Sequence, residues 1–85
     1  MNTVTMYSTG TCPYCIRAEK LLQRKGVTAL VKIRVDQNPA EMENMIERTG
    51  RRTVPQIYIG DTHVGGYDDM AALDSAGKLD PLLNS

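Results

Sequence analysis

Thr3-Val4-Thr5-Met6-Tyr7-Ser8-Thr9-Gly10-Thr11-Cys12-Pro13-Tyr14-Cys15, continuing to Gly26, is the stretch that decides the fold. Val4 and Met6 alternate with Thr3, Thr5 and Tyr7, the two-residue period of a strand with one face in a core, so a strand is expected over residues 3 to 7. Ser8 to Thr11 is a turn containing Gly10. Ala18, Leu21 and Leu22 then fall at helical spacing until Gly26 supplies a C-terminal stop, which predicts a helix over 13 to 25. A strand therefore runs almost directly into a helix, with two cysteines at the junction.

Working outward, Val31, Ile33 and Val35 alternate with Lys32, Arg34 and Asp36, a pattern that solvates one face and suits an edge strand. Asn38-Pro39 opens a helix, since asparagine can cap the first amides and proline is favoured at the first helical position. Met42, Met45 and Ile46 give its apolar stripe, the glutamates at 41 and 43 and Arg48 suit the helix dipole, and Gly50 closes it, so this helix spans 39 to 49. Gln56-Ile57-Tyr58-Ile59 and Thr62-His63-Val64 flank Gly60-Asp61 as a hairpin. Met70, Leu73 and Ala76 form a weaker helical stripe over 69 to 76, with Pro81 expected to prevent much continuation. The expected order is βαβαββα, an α/β fold with a four-stranded mixed sheet flanked by three helices, and residues 1 to 85 as one domain.

Composition excludes several classes of function. Ten basic residues balance ten acidic ones and no block of like charge appears, which removes the electrostatic footprint of a nucleic-acid binder. No apolar run approaches the roughly 20 residues needed to span a bilayer, and the N-terminus shows neither a basic nor an apolar leader region, so a cytoplasmic protein without membrane association is expected.

Two cysteines separated by two residues close almost no chain, so a disulfide between them is a poor structural staple. They read instead as chemistry or as half of a metal site. A closed zinc site needs four ligands, whereas this chain offers Cys12, Cys15 and the single His63, so no metal is expected. If Pro13 is the first helical residue, Cys12 is the N-cap and Cys15 lies one turn in, both sulfurs on one side of the helix start. Free amides and the helix dipole there favour a thiolate, so Cys12 is expected to be the exposed nucleophile and Cys15 the shielded resolving thiol. Two other segments invite a ligand. In Thr53-Val54-Pro55, proline has no amide to donate and its preceding bond can adopt the cis form. Gly65-Gly66 admits close backbone approach, and the following helix start can hold a carboxylate on its amides.

Together Cys12-Pro13-Tyr14-Cys15, Thr53-Val54-Pro55 and Gly65-Gly66-Tyr67-Asp68-Asp69 resemble the three signatures of the glutaredoxin family, at its spacing and over essentially the whole chain. The likeness is to the small bacterial dithiol type with a CPYC motif. That resemblance implies a thioredoxin-like fold and a glutathione-dependent thiol-disulfide oxidoreductase acting on protein disulfides and glutathione mixed disulfides. It implies a cis Pro55, Val54 pairing by backbone with the cysteine of glutathione, and Thr53 beside it. Tyr67 and Asp68, after Gly66, would meet the γ-glutamyl carboxylate, and Asp69 would accept from the ligand's amino group. Arg51 or Arg52 would reach the glycyl carboxylate, and Tyr14 would border the groove; of the two arginines, Arg52 is the expected ligand contact. Many family members carry a lysine three residues before the first cysteine, where this chain has Thr9. His63 is assigned to structure. Expected partners are glutathione and disulfide-bonded or glutathionylated proteins, ribonucleotide reductase among them by analogy, with the protein a monomer. Two other readings remain: an electron carrier reduced by a flavoprotein reductase, and a dimer holding an iron-sulfur cluster.

Overall fold

The computed structural model describes residues 2–85. Its elements are β1 (Val4–Ser8), α1 (Pro13–Arg24), β2 (Val31–Arg34), α2 (Pro39–Thr49), β3 (Gln56–Ile59), β4 (Thr62–Gly65), α3 (Tyr67–Ser75) and α4 (Leu79–Asn84). The four strands form one sheet in the order β2-β1-β3-β4. β1 and β2 are parallel, with Tyr7 opposite Ile33, because α1 carries the chain back across the sheet between them. β3 runs antiparallel to β1, with Met6 opposite Ile57, and the Gly60-Asp61 turn returns the chain as β4. The mixed sheet follows from one crossover and one hairpin, and β2 takes the edge that its alternating lysine and arginine suggest.

Side-chain alternation divides the interior into two layers. Val4 and Met6 of β1 and Ile57 and Ile59 of β3 point to one face, where Ala18, Leu21 and Leu22 of α1, Met70 of α3 and Leu79 and Leu83 of α4 close over them. Tyr7 and Tyr58 point to the other face and pack with Val35 and Met45 of the α2 side. Arg48 crosses the Tyr58 ring at 4.1 Å from its centroid and donates to Tyr7 Oη at 2.8 Å, which gives the Tyr7 hydroxyl a partner in this layer. Leu22 is 1 % exposed. Leu22→Ala is expected to cost about 3 kcal/mol by chemical denaturation, because the cavity lies between α1 and the sheet and cannot collapse.

Three expectations need correction. The sheet is flanked by four helices, not three: with Lys78 as N-cap, Pro81 falls in the first turn of α4, where its missing amide has no helical partner to lose. α4 is tied to the opposite end of the chain, as Asn2 N donates to Leu83 O and Asn2 Nδ2 to Leu82 O, both at 2.8 Å. α3 begins at Tyr67, two residues before the position that the apolar stripe suggests. Asn38 occupies the N-cap of α2 in extended conformation, but its side chain makes no capping bond; Pro39 and the acidic first turn suffice. Among the described residues no helix is long and apolar enough to cross a membrane.

Candidate active site

Pro13 starts α1, so Cys12 is its N-cap, with φ −115° and ψ 103°. Cys12 Sγ accepts a hydrogen bond from Cys15 N at 3.1 Å, the contact a capping oxygen would make. The two cysteines are joined as a disulfide, Cα atoms 5.1 Å apart. Cys12 is less open than expected: it is 8 % exposed and Cys15 4 %, because both close the rim of the core and Cys12 Sγ lies 3.8 Å from Val54 O. What separates the two sulfurs is therefore their place at the helix start. Cys12 faces amides that have no helical acceptor, while Cys15 is one turn inside.

Val54–Pro55 is a cis peptide. Beside it lies a groove of about 220 Å3 lined by Tyr14, Arg51, Thr53–Gln56 and Gly66–Asp69. Tyr14, Thr53, Val54, Pro55, Gly66, Tyr67, Asp68 and Asp69 are thus brought together from three elements by the fold. Arg52 is not among the lining residues, and Arg51 takes the wall instead, its guanidinium 2.9 Å from Asp69 Oδ2. The rings of Tyr14 and Tyr67 stand 6.2 Å apart at the mouth.

Asp69 organises the far wall. Its Oδ2 accepts from Gly66 N at 2.9 Å, which makes Gly66 the N-cap of α3 and explains the early start of that helix. The amides of Tyr67 and Asp68, in the first turn of α3, have no helical acceptor, and both residues line the groove. The Gly66 amide, and then Arg51, hold the Asp69 carboxyl below the usual carboxylate range. Gly65 adopts φ +112°, and a side chain there would run into the Asp69 carboxylate.

Sequence reasoning passed over Gln56, which is 1 % exposed. Its Nε2 donates to Thr53 O at 3.0 Å, and its Oε1 meets His63 Nε2 at 2.8 Å, so it ties the cis-proline loop to β4. A polar residue opening an otherwise apolar strand just after Pro55 was the available signal. His63 stacks on Tyr58 at 5.0 Å between centroids, away from the cysteines, and burial lowers its pKa, with the Arg51 charge adding to the effect. On the other flank of the cysteine pair, Thr9 lines a second depression with Lys32 and Arg34, so β2 supplies the positive side chains near the turn. Asp36 accepts from Gly10 N at 3.1 Å and pairs with Arg34 at 2.8 Å, which braces that turn, and any side chain at Gly10 would meet the Arg34 guanidinium.

This arrangement places a polarisable sulfur at a helix start, a second sulfur within bonding reach, and alongside them a groove lined by the cis-proline loop and the first turn of α3. It is suited to exchange of one disulfide for another. The family model described as Glutaredoxin matches residues 4–64. A curated glutaredoxin of Pseudomonas aeruginosa is 53% identical over 85 residues, covering 100% of both chains. Glutaredoxin 3 of Escherichia coli is 53% identical over 83 residues, covering 98% of this chain and 99% of its own. Among solved structures, the crystal structure of a buckwheat glutaredoxin-glutathione complex matches with a TM-score of 0.89 at 35% identity, covering 98% of this chain and 77% of that one.

Proposed function

The chain belongs to the glutaredoxin family and is a thiol-disulfide oxidoreductase of thioredoxin-like fold, and we propose that glutathione is its reducing cosubstrate, with Cys12 the nucleophile and Cys15 the resolving thiol. The observation that supports this reading is a groove with cis Val54–Pro55 on one wall and the start of α3 on the other, whose Val54 carbonyl lies 3.8 Å from Cys12 Sγ. In a cycle on a glutathionylated protein, the Cys12 thiolate attacks the glutathione sulfur and the protein leaves as a thiolate. A second glutathione thiolate then attacks the Cys12 adduct, releasing glutathione disulfide and restoring Cys12. One free glutathione is thus consumed per turnover: its sulfur joins the glutathione sulfur taken from the substrate, and the protein is released as the thiol.

In the proposed complex the Val54 backbone pairs with the cysteinyl unit of the tripeptide, and the amides of Tyr67 and Asp68 hold its γ-glutamyl carboxylate. Asp69 accepts from the α-amino group, and Arg51, not Arg52, meets the glycyl carboxylate. Thr53, Pro55, Gly66 and Tyr14 frame the walls. The buckwheat glutaredoxin of the same fold was solved as its complex with glutathione. We place the reaction in the cytoplasm, with disulfide-bonded and glutathionylated proteins, ribonucleotide reductase among them, as substrates.

The deciding assay is steady-state turnover of a glutathione mixed disulfide with glutathione as sole reductant, beside a parallel reaction with a flavoprotein disulfide reductase and NADPH but no glutathione. Turnover confined to the first reaction is expected; turnover confined to the second would replace glutathione by the reductase. A second measurement probes the α3 wall. Gly65→Ala should raise the KM for the mixed disulfide about tenfold, roughly 1.4 kcal/mol, because the new methyl displaces Asp69 and strains a left-handed backbone. Alkylation of Cys12 by iodoacetamide should be unchanged in that variant, since α1 is untouched.

A further inference from the structure

Arg17, Lys20 and Arg24 are exposed on α1 at spacings of three and four, so they share one face of that helix. With Tyr67 of α3 they line a groove of about 320 Å3. Tyr67 also lines the groove beside the cysteines, so the two depressions share a wall. Arg17 extends the stripe towards Tyr14, its guanidinium carbon 5.1 Å from that ring's centroid.

Most neighbouring charges are already paired. Glu19 pairs with Lys32, Lys25 with Asp74 and Asp80, and Asp69 with Arg51, while Asp68 lines the other groove. Arg17, Lys20 and Arg24 take part in no ion pair among the described residues. Like charges at these spacings repel along the helix. A chain of formal net charge zero thus carries a positive strip along the helix that Cys12 caps.

We infer that this strip docks an acidic segment of the polypeptide whose disulfide Cys12 attacks. The inference rests on the oxidoreductase reading above and names the class of protein substrate. Rising about 1.5 Å per residue, α1 places Arg17 roughly 7 Å and Arg24 roughly 18 Å along its axis from Cys12. An extended chain covers those distances in about two to six residues at about 3.3 Å each. The preferred substrate therefore carries aspartates or glutamates two to six positions from its reacting cysteine. Three cations over about 10 Å are too few for the backbone of a nucleic acid, and only a polypeptide brings the disulfide with it.

The test uses two peptides whose single cysteine is blocked as a mixed disulfide with thionitrobenzoate, one with glutamates at the stated positions and one with glutamines. Attack of reduced Cys12 on the peptide sulfur forms the Cys12–peptide disulfide and expels the coloured thiolate, which stopped flow records. The acidic peptide should react about tenfold faster at low salt, with the advantage lost at about 0.5 M NaCl. Lys20→Gln/Arg24→Gln should remove most of that advantage and leave the neutral peptide's rate unchanged. Equal rates for the two peptides, or an advantage that survives the double substitution, overturns the inference. A cysteine-free acidic peptide, followed by fluorescence anisotropy, keeps the test independent of redox chemistry. Its binding should weaken severalfold in the double variant; absence of binding sinks the docking surface, whereas failure of both blocked peptides to react sinks the oxidoreductase reading alone. A single-stranded oligonucleotide that competes more strongly than the acidic peptide would reassign the strip and overturn the inference as well.

Discussion

A Cys12→Ser variant is expected to lose turnover on glutathione mixed disulfides and protein disulfides alike, by about three orders of magnitude, or roughly 4 kcal/mol of barrier. The fold should be unaffected. Serine is among the best N-cap residues, and its hydroxyl takes over the bond that Cys12 Sγ accepts from Cys15 N. Thermal midpoint and rate are therefore separable at this position: the first should hold while the second vanishes. The reason lies in ionisation. A hydroxyl stays protonated at the N-terminus of a helix, whereas a thiol, starting near 8.5, is drawn towards the thiolate by the same amides. In the reduced wild type, Cys12 should accordingly be alkylated faster than Cys15, with an apparent pKa below that of free cysteine. Residual turnover above about one per cent in the serine variant would move the chemistry elsewhere in the molecule.

How much of this was legible in the residues depends on the kind of signal. Backbone punctuation was plain. Pro13 and Pro39 sit at the first positions of α1 and α2, and Gly50 ends α2 in the left-handed conformation at φ 71°, as the sequence suggests. Alternation in β1 sorted Val4 and Met6 from Tyr7 onto opposite faces. What failed were judgements that depend on a partner distant in the chain or on a helix's phase. Pro81 reads as a breaker only until the start of α4 is known, for in a first turn it breaks nothing. α3 starts early because the Asp69 side chain reaches back to Gly66, a local bond that an apolar stripe cannot register. Adjacent arginines at 51 and 52 are indistinguishable by pattern, and the Asp69 carboxylate across the groove selects Arg51. Gln56 looks like an ordinary strand residue until His63 and the Thr53 carbonyl surround it. In each case the missing information was a contact across the sheet or between neighbouring elements, which a reading of local propensity does not contain.

Cys15→Ser should divide the two activities that Cys12→Ser removes together. In the dithiol route, a protein substrate leaves Cys12 in a mixed disulfide whose only nearby nucleophile is the Cys15 thiol, one helical turn away. Attack there expels the reduced substrate and closes Cys12–Cys15; without it the adduct must wait for glutathione to reach a sulfur shielded by the bound protein. Reduction of protein disulfides is thus expected to fall about a hundredfold, roughly 2.7 kcal/mol, and the covalent adduct should accumulate on non-reducing gels. Removal of glutathione from glutathionylated proteins follows another course, because the adduct on Cys12 is then a small tripeptide and a second glutathione attacks it directly. That activity should stay within about twofold of wild type. Cys15 is only 4 % exposed and donates its amide, not its sulfur, to the helix start, so serine there leaves the bond to Cys12 Sγ in place. Cys12 keeps its place at the start of α1. Parallel loss of both activities in Cys15→Ser would show that the second sulfur supports Cys12 itself and does not merely resolve its adducts.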